Sequence, residues 1–135
     1  MTTALPESYK ADFPIEQLIG KVREIAAENP DFIYQKQRRD GHRDTMVCYY
    51  VAENSQDGSC IMGRAFRALG VPAEVLRQYE GERTGTLIEA FRVEASASQL
   101  SWLFNVQCSQ DDGLAWGECV RVADRDLSLF YGKAV

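Results

Sequence analysis

The chain has 135 residues and a formal net charge of -5, with 45% hydrophobic and 26% charged side chains but only 4 prolines and 10 glycines. That length suits one domain burying roughly two-thirds of the surface its unfolded form exposes, and the composition excludes a disordered tail, a collagen-like fibre and a low-complexity linker. No apolar stretch approaches the roughly 20 residues of a spanning helix and residues 1–10 hold no apolar signal core, so the expected setting is cytoplasmic with no membrane partner.

Residues 1–12 are polar and aperiodic and read as a disordered or extended arm ahead of a single globular domain over 13–135. From Pro14, which suits a first helical turn, Ile15, Leu18, Ile19, Val22, Ile25 and Ala26 follow the spacing of one helical face. That helix should stop at Asn29-Pro30, because proline disfavours helical backbone in the residue before it. Phe32-Ile33-Tyr34 and Thr45 to Val51 are rich in aromatic and β-branched residues and flank the turn dipeptide Asp40-Gly41, which predicts a β-hairpin apolar on both faces.

Ser59 is placed to cap a helix through Ile61, Met62, Ala65, Phe66 and Leu69, with Gly70 as its left-handed stop. A second short helix is expected from Val71-Pro72 through Val75, Leu76 and Tyr79 to Gly81; with Arg77 as its only basic residue, it does not read as a DNA-recognition helix. Over 82–95, Leu87, Ile88, Ala90, Phe91 and Val93 fit helix and strand about equally, and a loop with one helical turn is the reading adopted. Ser96 or Ser98 then caps a helix carrying Leu100, Leu103, Phe104, Gln107, Cys108 and Asp111 along one side, ending at Gly113. A last helix runs from about Leu114 through Trp116, Val120 and Ala123 to Arg125. The expected fold class is α+β, mostly α, with about five helices and one β-hairpin inserted after the first.

The acidic balance disfavours sequence-independent nucleic-acid binding. Its local exception is a basic hairpin tip of Lys36, Arg38, Arg39 and Arg43, which offers a weak nucleic-acid regulator as one alternative function. Cys48, Cys60, Cys108 and Cys119 are separated by 12, 48 and 11 residues. These spacings contain no zinc-type pair, and His42 is the single histidine, so no metal and no cofactor is expected and the thiols read as free and packed.

Three constellations remain. Gly58-Ser59-Cys60 at a helix start places a thiol where backbone amides lower its pKa, so a small cysteine-dependent enzyme using Cys60 with His42 as base is the other alternative. Asp111, Asp112 and Glu118 sit near one helix connection and read as solvated helix-end charges. Gln107 and Gln110 share a helical ridge with Asp111 and face Trp116 across the turn, forming either a polar pocket or a structural lock in which the amides satisfy helix-end carbonyls.

Two stretches, Ser59-Cys60-Ile61-Met62-Gly63-Arg64-Ala65-Phe66-Arg67-Ala68-Leu69-Gly70-Val71-Pro72 and Val106-Gln107 through Gln110-Asp111-Asp112-Gly113 to Trp116-Gly117, together resemble a group of small uncharacterised proteins of actinobacteria and actinobacteriophages. The N-terminal helix and the Cys48-Tyr49 segment fit the same pattern, so the likeness spans most of residues 14–125. It transfers no activity, and implies a small accessory protein, phage-encoded, in a bacterial cytoplasm. The leading expectation is therefore a non-enzymatic protein that binds a host or phage protein or pairs with itself as a homodimer, through Tyr34, Tyr49 and Tyr50.

Overall fold

Six helices occupy the residues described by the computed structural model, which are 9–35 and 49–131, with backbone alone at 130 and 131. They are α1 (Ile15–Glu28), α2 (Ile61–Ala68), α3 (Ala73–Arg77), α4 (Thr84–Ala90), α5 (Ala97–Asp111) and α6 (Trp116–Tyr131). α5 and α6 form the central antiparallel pair, α1 packs on α2 and α6, and α4 lies along α5.

The amphipathic stripe of α1 behaves as its spacing predicts: Ile15, Leu18, Ile19, Val22, Ile25 and Ala26 are all buried, and the helix ends one residue before Asn29-Pro30. Gly70 adopts a left-handed backbone after α2, and Gly113 does the same after α5, where a side chain would be strained. The cap of α5 is Ser96, whose hydroxyl accepts from the Gln99 amide at 3.1 Å while Gln99 Oε1 accepts from the Ser96 amide at 2.8 Å.

Five expectations are corrected. The fold is helical rather than α+β: among the described residues there is no strand, and Ile33 and Val51 make only isolated bridges, to Ala115 and Gly58. The expected partner strand reaches into residues 36–48, which with the Asp40-Gly41 turn lie outside the described residues. The aromatic and β-branched residues around it serve burial instead. Tyr34, Tyr49, Tyr50 and Val51 are all buried. The amides of Tyr50 and Val51 donate to the two oxygens of the Glu80 carboxylate, at 2.7 and 3.1 Å, rather than to a neighbouring strand.

Residues 84–90 form a helix where a loop with one helical turn is expected, because Thr84, Leu87 and Ile88 are drawn into the core. α3 is a helix of five residues, shorter than predicted, and α6 runs beyond Arg125 to Tyr131. Finally, α5 turns a different side inward: its buried residues are Trp102, Leu103, Val106 and Gln110, while Leu100 and Phe104 are exposed.

Close packing at α2 depends on Gly63, since a Cβ there would lie 1.8 Å from the carbonyl oxygen of Tyr50. Across the bundle, Arg23 of α1 grips both carboxylate oxygens of Asp124 on α6, at 2.9 and 2.7 Å, and Trp102 Nε1 of α5 donates to the same carboxylate at 2.8 Å. The guanidinium carbon lies 4.7 Å from the Trp102 ring centroid, so one cation ties three helices by charge and by ring contact.

The Arg23 hydrogen bonds, helped by the Trp102 indole and opposed by burial, hold the Asp124 carboxyl below the usual carboxylate range. A lowered folded-state pKa gives stability that is fully present above the unfolded value of about 3.9 and is lost as the pH falls through the folded value. Asp124→Asn should therefore lower stability at neutral pH by about 1 kcal/mol or less, because the pair is about a third exposed to screening solvent. In urea unfolding, the gap between variant and wild type should close as the pH drops below about 4; an unchanged gap would show that the pair carries no such linkage.

Candidate functional site

Helix starts leave amide groups without partners inside their own helix, and a buried start must find acceptors elsewhere. α2 and α4 have no side-chain cap of their own. Both are capped from α5. Gln110 is fully buried, and its Oε1 accepts from the Ile61 amide, the first of α2, at 2.8 Å and from Trp116 Nε1, at the start of α6, at 3.1 Å. Both neighbours are donors, so the amide oxygen must face them, and Nε2 turns to Asp111 Oδ1 at 3.0 Å. Three residues earlier on α5, Gln107 Oε1 accepts from the backbone amide of Thr84, the first of α4, at 3.3 Å and also from its hydroxyl.

The start of α6 is held differently. The Trp116 amide donates to the Phe32 carbonyl at 2.9 Å and the Gly117 amide to the Pro30 carbonyl at 3.0 Å. Arg64 of α2 closes this corner, its guanidinium carbon lying 4.7 Å from the Trp116 ring centroid and 5.1 Å from that of Phe32 while Nε donates to the Ser59 carbonyl. Gln107, Gln110, Asp111 and Trp116 thus sit in one corner that fastens α2, α4 and α6 to α5. The glutamine oxygens take helix-start amides, not the helix-end carbonyls expected from sequence.

The other sequence-derived candidates are placed as follows. Ser59 is not the cap of α2; that position belongs to Cys60, and the Ser59 hydroxyl is engaged with the Tyr34 hydroxyl at 3.1 Å. Tyr34, Tyr49 and Tyr50 are buried rather than presented as a surface: the Tyr34 hydroxyl accepts from the Tyr49 amide, and the Tyr50 hydroxyl donates to the Glu82 carbonyl. Cys60 is fully buried, its amide bonded to the Tyr49 carbonyl and the next amide taken by Gln110, so these two groups are not left to a thiolate. His42 and the basic residues Lys36, Arg38, Arg39 and Arg43 lie outside the described residues.

Glu118 is bound by Arg121 on the exposed side of α6, which holds its carboxyl below the usual range. Arg77 donates to loop carbonyls of Ala52 and Ser55. Among the described residues no group of three His, Cys, Asp or Glu side chains is arranged to hold a metal.

An open feature emerges between α4 and α5. A groove of about 580 Å³ is lined by Arg83, Gly85, Thr86, Glu89, Leu100 and Phe104, among others. It continues past Leu100 into a smaller depression with Ile88 and Glu94 on its walls. Leu100 is 36% exposed and Phe104 45% exposed, and Arg83 reaches over the Phe104 ring at 5.6 Å. The signal for this surface was present in the sequence: α5 carries apolar residues at 100, 102, 103, 104 and 106, which is more than one inward stripe can use.

Replacing Gln110 with Met keeps the approximate volume but removes the acceptor for two buried donors. Stability should fall by about 1–3 kcal/mol for each donor left unsatisfied. Gln107→Met, at a partly exposed position, should cost less; equal losses in urea titrations would refute the assignment of Gln110 as the principal tie.

Thiol reactivity should rank by burial and not by helix position. Burial pushes the Cys119 thiol up to about 12, while Cys108, raised by burial and by Asp111 and Asp112, is still partly exposed. Native-state alkylation followed by peptide mass analysis should find Cys108 labelled ahead of Cys60 and Cys119. Faster labelling at Cys60 would revive the cysteine-enzyme alternative.

Compared with protein-family models, with curated proteins and with solved structures, the chain matches none of them.

Proposed function

We propose that the chain is a non-enzymatic accessory protein that acts by protein–protein interaction, and that the face it uses is the groove between α4 and α5. The observation that carries this reading is the pairing of two exposed large apolar side chains, Leu100 and Phe104, along a groove whose rim carries Arg83, Glu89 and Glu94. An apolar floor inside a charged rim is the build of a binding face, in which the floor supplies desolvation and the rim supplies orientation. No helix among the described residues is long and apolar enough to cross a membrane.

The tyrosines expected in this role are core residues, and the exposed apolar side chains Leu100 and Phe104 lie on the α4–α5 face. The burial of Cys60 and the engagement of its amide and the next one favour binding over thiol chemistry. The bacterial cytoplasm and the phage-encoded origin implied by the resemblance belong to the same proposal, as the setting in which a small binder of this kind would act.

Leu100→Asp combined with Phe104→Asp tests the reading, since both side chains are solvent-accessible and the variant should keep its helical circular dichroism and its thermal midpoint. It should lose the association shown by the wild-type chain, whether that is self-association in sedimentation velocity or retention of a protein partner in affinity capture. Association that survives in the folded variant overturns the groove as the binding face.

A further inference from the structure

α4 and α5 form an antiparallel hairpin, so the start of α4 lies beside the later part of α5 and the end of α4 beside its beginning. Arg83 accordingly sits with Phe104 at one end of the exposed face, as their 5.6 Å contact shows. Glu94 sits at the other end, where the groove continues along Val93 and Ala95, and Glu89 and Leu100 line both parts and mark the middle. Among the described residues none of Arg83, Glu89 and Glu94 takes part in a salt bridge. The face is therefore apolar along its length, cationic at one end and anionic at the other.

Gly85 lowers the floor of the same face. A Cβ at this position would meet nothing within 4 Å, and its backbone is not in the left-handed region, so the chain's own packing does not call for glycine. Glycine inside a helix costs about 0.5–1 kcal/mol relative to alanine, and here it leaves room for another surface to approach.

We infer that the occupant of this groove is a second copy of the same chain, paired about a two-fold axis passing near Leu100; the inference rests on the groove being the binding face. A two-fold contact requires a surface that is its own complement, because each residue i that meets j is matched by j meeting i. Rotation by half a turn about the centre of this face brings the Arg83 and Phe104 end of one copy against the Glu94 end of the other, twice over, and lays Leu100 of one along Leu100 of its partner. A protein of unrelated sequence could match the same charges, but the opposed ends of this face satisfy each other without any further component. On a chain of net charge -5, which repels its own kind at long range, such local pairing supplies the registered attraction.

The test uses the full chain in sedimentation velocity across a concentration series. The wild type should show a reversible monomer–dimer equilibrium. Arg83→Glu alone, and the double variant Glu89→Arg with Glu94→Arg, each place like charges opposite one another and should weaken the dimer by about tenfold or more. Mixed in equal amounts, the two variants present opposite charges again and should form a heterodimer close to wild-type strength, with Phe104→Asp monomeric throughout.

A wild type that remains monomeric up to about millimolar concentration, near the edge of weak association, overturns the pairing. So does a mixture no more associated than either variant alone. If the monomeric wild type still loses a different protein partner on Leu100→Asp and Phe104→Asp, the groove stands as a binding face and only the second copy is refuted. If a dimer forms and is untouched by Phe104→Asp, this pairing and the groove as the dimer contact fall together.

Discussion

The N–H of Ile61 needs an acceptor where no water can reach it, and a single side-chain oxygen on another helix supplies it. Gln110 is the point from which the arrangement of the bundle can be understood. Its oxygen takes one donor from α2 and one from the first residue of α6, so both helices are tied to α5 through one planar amide. Leaving a buried donor without a partner costs more than an ordinary hydrogen bond contributes, and this asymmetry gives a buried amide influence beyond its net stabilisation. Around it the same solution recurs: Gln107 serves α4, and the carbonyls of Pro30 and Phe32 serve α6.

With those helix starts satisfied from within, the side of α5 turned away from the corner is free for another use. Trp102, Leu103, Val106 and Gln110 go to the core and its ties, and Leu100 and Phe104 are left on the outer side beside α4. The binding face and the structural corner are therefore neighbouring sides of one helix. The helix that fastens the core also displays the surface, so the surface rests on the most extensively tied element of the fold, where ordering it on association requires little rearrangement.

What could be read from the sequence followed how local the determining interaction is. α1 is legible because its stripe, Pro14 and the Asn29-Pro30 stop all lie within its own span. The start of α5, narrowed to Ser96 or Ser98, and the Gly70 and Gly113 stops are legible for the same reason. α4 is not, since the acceptor that secures Thr84 is 23 residues away on α5. The hairpin expected from the aromatic segments failed because high β-propensity is also what a buried, half-extended segment against helices looks like, and Glu80 takes the amides a sheet would have used. At the site, the Gln107, Gln110 and Trp116 constellation could be found from spacing, though its true partners could not. Spacing puts Leu100 and Phe104 on one side with Leu103, but periodicity alone does not say which of two apolar stripes meets the core.

The 49 residues separating Ile61 from Gln110 also bear on the order in which the chain can fold. During synthesis from the N-terminus, α1 and the segment of α2 emerge well before the glutamine that secures the α2 start, and long before Trp116 completes the corner. A chain interrupted anywhere before residue 110 has the apolar stripes of its first helices but lacks the acceptor that the start of α2 needs once it is buried. Burial of the α2 start is thereby deferred until α5 is available.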